Sequence, residues 1–319
     1  MGFVMLGGRV KLSAAVILVI VIVVAGISLP LLLIDFRTVS INEVDAVPSN
    51  GSGRLDLKVK ATVGELAIVF MPLDGDAVRV ESNVQGQSNL FGKASPLRVD
   101  VNSTNSTGPL GTVQSVNVTL NTYAPWPNYA LKEVGFTIAI DENLRTRLNL
   151  SVITGGISLA TARGVVIEGL EINSTAKGAV ISFENGTVLA GDVRIKTATG
   201  GSVLSWNDVE VLGSRNLNIM ESSGPIVARF DQSAPMNGTV NMKVADTVGE
   251  VRLGFFLDGQ VSAKVTCGWD LGTPQAVNLG GFDGTPANFQ SHNYPSEDRF
   301  RVQVNQTLGN IHLDGSWTG

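Results

Sequence analysis

Residues 195–206 read IKTATGGSVLSW: apolar residues at alternate positions, a Thr-rich corner, glycine, then apolar alternation again. The phrase returns with variations as SVITGGISL at 151–159, NSTAKGAVISF at 173–183, IMESSGPIVARF at 219–230 and VADTVGEVRL at 244–253. Outlying versions are VKATVGELAI at 59–68 and VNQTLGNIHL at 304–313. Self-similarity of this kind marks a repeat architecture, in which each unit buries its apolar side only against its neighbours.

The corner glycines are read as Gly64, Gly156, Gly178, Gly201, Gly224, Gly249 and Gly309. From Gly156 to Gly178, Gly201, Gly224 and Gly249 the residue numbers advance by 22, 23, 23 and 25. Val193, Ile195 and Thr197 alternate with Arg194 and Lys196, a period of 2 that turns successive side chains inward and outward along a strand. A step near 22 residues holds roughly three strands of about four residues plus corners, at about 3.3 Å per residue. The expected fold is therefore all-β: a β-solenoid of roughly triangular 22–25-residue coils, with irregular capping segments, preceded by one transmembrane α-helix. Glycine suits the corners because it takes positive φ at little steric cost.

Residues 12–34 are uncharged and dominated by Val, Ile and Leu. As a helix they would span about 35 Å, enough to cross a bilayer. Their sixteen Leu, Ile and Val residues contribute about −5 to −10 kcal/mol towards insertion. Arg9 and Lys11 precede the segment, which predicts a cytoplasmic segment at 1–11 and an outside location for the rest. A cleaved secretory signal and a pilin-type processing site beside Gly7 and Gly8 are the competing readings. Residues 35–54 have the composition of a linker, and 55–319 are expected to form one extracellular solenoid-like domain with its regular coils at about 147–255. Residues 102–108 read as polar and flexible, 123–129 as an aromatic surface loop, and 267–297 as an excursion before a last coil at 300–313.

Nine Asn-x-Ser/Thr triplets, at Asn50, Asn102, Asn105, Asn117, Asn149, Asn173, Asn185, Asn237 and Asn305, all follow the apolar segment and are glycosylation candidates. The single cysteine, Cys267, excludes an intramolecular disulfide. Many acceptor sites without paired cysteines fit an archaeal envelope better than a eukaryotic secretory lumen. A net charge of −5 with no basic run beyond the amino terminus argues against nucleic acid as a partner.

The stretch ENLRTRLNL at 142–150, followed by VITGG at 152–156, resembles the entry to the β-coils of a family named for its members as membrane-anchored putative adhesins. The resemblance covers roughly residues 55–255 and implies a β-solenoid on a membrane tether with an adhesive role. The usual Ser-Gly-Asp corner of that family is here Thr-Gly-Gly, Ala-Lys-Gly-Ala, Ser-Gly-Pro or Val-Gly-Glu, with no aspartate directly after the corner glycine, a departure that tells against a corner cation or ligand site.

Catalytic signals are weak. Glu65, Asp246 and Glu250 sit near corners, Glu171, Glu184, Asp192 and Glu210 are scattered, and all are read as solvated charges whose offsets from the glycines do not match. His292 and His312 lack ligand spacing to each other or to Cys267, which reads as a small buried hydrophobe. Asp74-Gly75-Asp76 reads as a turn, and residues 280–284 lack the lysine of a phosphate loop. No cofactor and no metal are expected. The expected role is a non-catalytic, structural or adhesive surface protein. Its partners would be the bilayer, through 12–34, and envelope glycans or surface proteins. The alternatives are an enzyme acting on envelope polysaccharide and a pilin-like filament subunit.

Overall fold

Val193, Ile195 and Thr197 are buried while Arg194 and Lys196 are exposed, so the period of 2 in the sequence is a strand with one face inward. The computed structural model describes residues 37–88, 95–108, 111–122, 129–285 and 287–319. Among these the structure is all strand and turn, with no helix. The first strands are β1 (Arg37–Pro48), β2 (Arg54–Val63), β3 (Glu65–Met71), β4 (Asp76–Ser88), β5 (Leu97–Gly108), β6 (Gly111–Thr122) and β7 (Tyr129–Asp141). The repeat region holds β8 (Arg145–Thr154), β9 (Ile157–Ala160), β10 (Val166–Ser174), β11 (Ala179–Phe183), β12 (Val188–Leu189), β13 (Val193–Thr199), β14 (Ser202–Asn207), β15 (Glu210–Val211), β16 (Gly213–Ser223) and β17 (Ile226–Gln232). The remainder is β18 (Gly238–Asp258), β19 (Ser262–Leu271), β20 (Pro274–Gly280), β21 (Phe282–Thr285), β22 (Asn288–Ser291) and β23 (Arg299–Thr318).

Two long parallel ladders organise these strands. The first runs through β6, β2, β8, β10, β13, β16, the first half of β18, the first half of β23, and β19. The second runs through β7, β3, β9, β11, β14, β17, the second halves of β18 and β23, and β20. A third, short ladder joins the start of β10 to β12 and β15. Each repeat is thus two long strands and one of two residues, instead of three of about four.

Inward side chains stack in columns along these ladders. Phe183, Trp206, Phe230 and Phe255 are successive register partners. Phe230 and Phe255 stack with ring centroids 4.9 Å apart, and Phe300 reaches in from the first ladder to within 5.2 Å of Phe230. Trp206 is 1% exposed, and its Nε1 donates to Gln232 Oε1 at 2.8 Å, so the one polar atom of the ring is satisfied inside the apolar column.

Sequence order and spatial order part at both ends. Strands β2 and β3 lie between the β6–β7 layer and the β8–β9 layer, and β23 lies between β18 and the β19–β20 layer. That insertion explains the gap after Gly249, whose register partner is Gly309. The edges are covered by antiparallel strands: β5 on β6, β4 on β7, β1 on β4, β22 on β19 and β21 on β22.

Several expectations change. The expected linker at 35–54 contains β1, paired along its length with β4. The polar stretch 102–108 belongs to β5, because pairing with β6 satisfies its backbone whatever its side chains. The excursion at 267–297 is largely β19 to β22, and 300–313 is the last layer in sequence but not in space. Gly64, Gly178, Gly201, Gly224 and Gly309 hold positive φ, whereas Gly156 and Gly249 do not, Gly155 taking that role in the first of these corners. At Gly249 the reason for glycine is close approach: a Cβ there would sit 2.1 Å from the Gly224 carbonyl oxygen. No helix among the described residues is long and apolar enough to cross a membrane; residues 12–34 and 123–128 lie outside the described residues.

Candidate functional site

An inward residue stands three or four positions before each corner glycine, and parallel pairing stacks these residues into one column. It runs Ala61, Val152, Ser174, Thr197, Glu221, Asp246, Gln306 and then Trp269, each the register partner of the next. From Ser174 onward the column is polar, yet Ser174 to Gln306 are at most 4% exposed. Thr197 bonds Glu221 through its hydroxyl, and Ser202 Oγ lies 2.8 Å from Thr197 Oγ1 and 3.4 Å from Glu221 Oε2. Gln306 Nε2 donates to Asp246 Oδ2 at 3.2 Å and to the Gly249 carbonyl at 2.7 Å. Asp246 Oδ1 and Gln306 Oε1 are buried without a hydrogen-bond partner.

Burial dominates the acidity of this column. It pushes the Asp246 carboxyl up to about 6, against the backbone N–H groups of Val248 and Thr247 and the Gln306 amide, which favour the anion. Burial also raises Glu221, opposed by the Ser223 N–H and the Ser202 hydroxyl and helped by the charge of Asp246. When protonated, Asp246 would add a donor in a column where Gln306 Oε1 has none. The expectation that Asp246 is a solvated charge is therefore corrected.

Trp269 closes the column at 39% exposure, beside a groove of about 590 Å³ lined by Lys196, Met220, Trp269, Asp270, Asn305 and Thr307. A second groove of about 590 Å³ on the same face is lined by Asn218, Lys243, Lys264, Tyr294, Arg301 and Gln303. Lys264 Nζ stands 5.8 Å from the Tyr294 ring centre. In a cleft of about 690 Å³ at the Asn237 turn, Asp298 accepts from the Met236 and Gly238 N–H groups at 2.7 and 2.8 Å and so holds the turn.

The other acidic candidates hold corners and strands. Glu65 accepts from the Gly156 N–H at 2.9 Å and pairs with Lys177 at 2.6 Å. Glu171 accepts from Asn149, Glu184 from Ser182, Asp192 from Asn216 and Glu210 from Asn237. Glu250 holds both His312 and Arg252 at 2.8 Å, and His292 lies 3.3 Å from Asp283. Asp74 and Gly75 form the turn into β4, where Asp76 pairs with Arg79. Cys267 is 7% exposed, and burial pushes its thiol up to about 12. Among the described residues no three His, Cys, Asp or Glu side chains gather as metal ligands. Of the nine triplet asparagines, Asn149 and Asn173 are half-buried and the other seven exposed; none points into the interior.

Glu221 was missed as a partner of Asp246, although the signal is in the sequence: Glu221 and Asp246 each stand three residues before their glycines, Gly224 and Gly249. Counting from the glycines would have placed them side by side.

No family model matches this chain. No curated protein matches it either. Among solved structures it is similar to a putative cell adhesion protein from Clostridium sporogenes, at 14% identity and a TM-score of 0.37, with 87% of this chain and 100% of that one covered. It is also similar to putative adhesins from Bacteroides fragilis, at 8% identity, TM-score 0.36 and coverage of 87% and 97%, and from Parabacteroides merdae, at 8%, 0.33, 89% and 95%. These structural neighbours, all bacterial, carry the description that the corner phrases resemble. TM-scores this low carry no functional weight.

Proposed function

We propose that this chain is a β-solenoid held on the outer face of a cell membrane by residues 12–34, with its amino terminus cytoplasmic, and that it serves as a structural or adhesive surface without catalysis. The observation that carries this reading is the outward side of the first ladder, a mostly polar sheet face with two open grooves. In-register layers cannot slip past one another without turning their inward residues out, so that face is a rigid platform. The outward placement of all nine triplet asparagines supports a glycosylated exterior.

The test is to treat intact cells expressing the full chain with a non-penetrating protease and to measure their attachment to envelope material from neighbouring cells. Release of fragments from residues 55–319 together with loss of attachment is the expected result. Fragments appearing only after lysis would refute the surface placement, and attachment unchanged by removal of the chain would refute the adhesive role.

One observation favours a catalytic second reading: Glu221 and Asp246 are neighbouring carboxyl groups on adjacent strands beside a groove, the residue types that glycoside hydrolysis uses. Reducing ends released from an envelope polysaccharide by the native chain, and lost in Asp246→Asn, would establish it.

A further inference from the structure

The chain is acidic overall, with a net charge of −5, yet the outward positions of β16, β18, β23 and β19 on the first ladder carry a single carboxylate, Asp270 at the far end of β19. They present Asn216, Asn218 and Met220 on β16, then Asn241, Lys243 and Ala245 on β18. Next come Arg301, Gln303 and Asn305 on β23, and Lys264, Thr266 and Gly268 on β19. Arg194 and Lys196 extend the basic surface onto β13, where Asp192 marks its corner and is occupied by Asn216. Among the described residues none of Arg194, Lys196, Lys243, Lys264 and Arg301 enters an ion pair, although Arg54, Arg79, Arg98, Arg145, Lys177, Arg229 and Arg252 elsewhere do.

Although Arg194 faces Glu171 on β10 and Lys264 lies over Tyr294, these five concentrate positive charge on one rigid face of a protein with more acidic than basic residues. Arg301 and Lys264 are register partners on adjacent strands, and Lys243 stands diagonal to Arg301 across the groove. From β13 to β19 the surface crosses four strand intervals, about 19 Å at about 4.8 Å each. Between the cations stand side-chain amides that both donate and accept hydrogen bonds, the complement of vicinal hydroxyls.

We infer that this face binds an acidic polysaccharide, its carboxylate or sulfate groups on Lys243, Lys264 and Arg301 and its hydroxyls on the intervening amides. The inference rests on the adhesive reading above and names the chemistry of its partner. A nucleic acid fits less well: Tyr294 is the aromatic of the groove and is engaged with Lys264, so no row of stacking rings is offered to bases. A membrane surface fits less well because the outward residues are mostly polar, with Met220 and Trp269 isolated among them and no continuous apolar patch to insert.

The experiment uses the full chain in detergent, expressed without glycosylation so that Asn305 at the groove margin is bare. Binding to polygalacturonate, dextran sulfate, neutral dextran and duplex DNA is measured at low and high salt. Binding to at least one of the two acidic polysaccharides, weakening steeply as salt screens it, is expected, with none to neutral dextran. Lys243→Gln with Arg301→Gln should reduce affinity at least tenfold, while Arg229→Gln with Arg252→Gln, on the second ladder, should leave it unchanged. Absence of binding to both acidic polymers, equal binding to neutral dextran, equal loss in both double variants, or tighter binding to DNA would each overturn the inference. Attachment of cells carrying Lys243→Gln with Arg301→Gln separates the two readings. Attachment kept in full refutes this inference and leaves the adhesive role standing; polysaccharide binding by a chain that supports no attachment does the reverse.

Discussion

Replacing Gly201 by valine is the most exacting perturbation of the corner. Gly201 has φ of +88°, and a Cβ there would lie 2.6 Å from the Pro225 carbonyl oxygen and 2.9 Å from Pro225 Cδ in the next layer. The left-handed backbone costs a side chain about 1–2 kcal/mol, more when it is β-branched. Forcing new atoms against fixed backbone adds about 1–3 kcal/mol. The sum, roughly 2–5 kcal/mol, is a large part of ordinary domain stability. Urea unfolding followed by far-ultraviolet circular dichroism should show the midpoint falling by about 1 M, taking a slope near 3 kcal/mol/M. Gly53→Val is the control, since nothing lies within 4 Å of a Cβ there and its φ is not positive. Its effect should stay within about 0.5 kcal/mol. Equal midpoints for the two variants would refute the stacking argument at the corner.

Trp206→Ala should cost about 3–5 kcal/mol in the same assay, because it empties the centre of the Phe183, Phe230 and Phe300 cluster; a loss under 1 kcal/mol would show that the column is loosely packed. Asp246 makes stability depend on pH in the direction opposite to a paired carboxylate. Its folded value of about 6 lies above the ordinary 3.8, so the native state holds the proton more tightly and stability falls as pH rises through that window. The difference is roughly 3 kcal/mol at most, and Asp246→Asn should remove most of it and be the more stable chain at pH 8; an unchanged pH profile in the variant would refute the assignment. Cys267 should resist iodoacetamide at pH 8 in the native protein and react on unfolding, given its burial and raised thiol pKa; rapid native labelling would contradict its placement.

The all-β character and the corner glycines were legible because period-2 alternation and φ preference act locally, within one phrase such as residues 195–206. What escaped was non-local. Nothing in the residues of β23 says that it inserts between β18 and β19, since that choice depends on which edges are left free once the other layers have formed. The strand nature of 102–108 was hidden for the same reason: its side chains are polar and mostly face water, and its pairing with β6 is made by the backbone with one side-chain bond, from Gln114 to Ser103. The column through Glu221 and Asp246 was readable by counting back from Gly224 and Gly249, but its burial was not. A carboxylate three residues from a glycine looks solvated until a further layer is laid over it.

The central claim is that successive repeats stack in parallel, in register, one strand spacing apart. Val180 and Val203 are outward register partners on β11 and β14, 54% and 38% exposed, and Ser205 lies two residues further along β14. Adjacent strands about 4.8 Å apart place the Val180 and Val203 Cα atoms within disulfide range, whereas Val180 and Ser205 would be about 8 Å apart and out of reach. Mild oxidation of the Val180→Cys, Val203→Cys chain should therefore consume both new thiols, and the Val180→Cys, Ser205→Cys chain should keep them. Equal cross-linking in both, or none in the first, would contradict the stack.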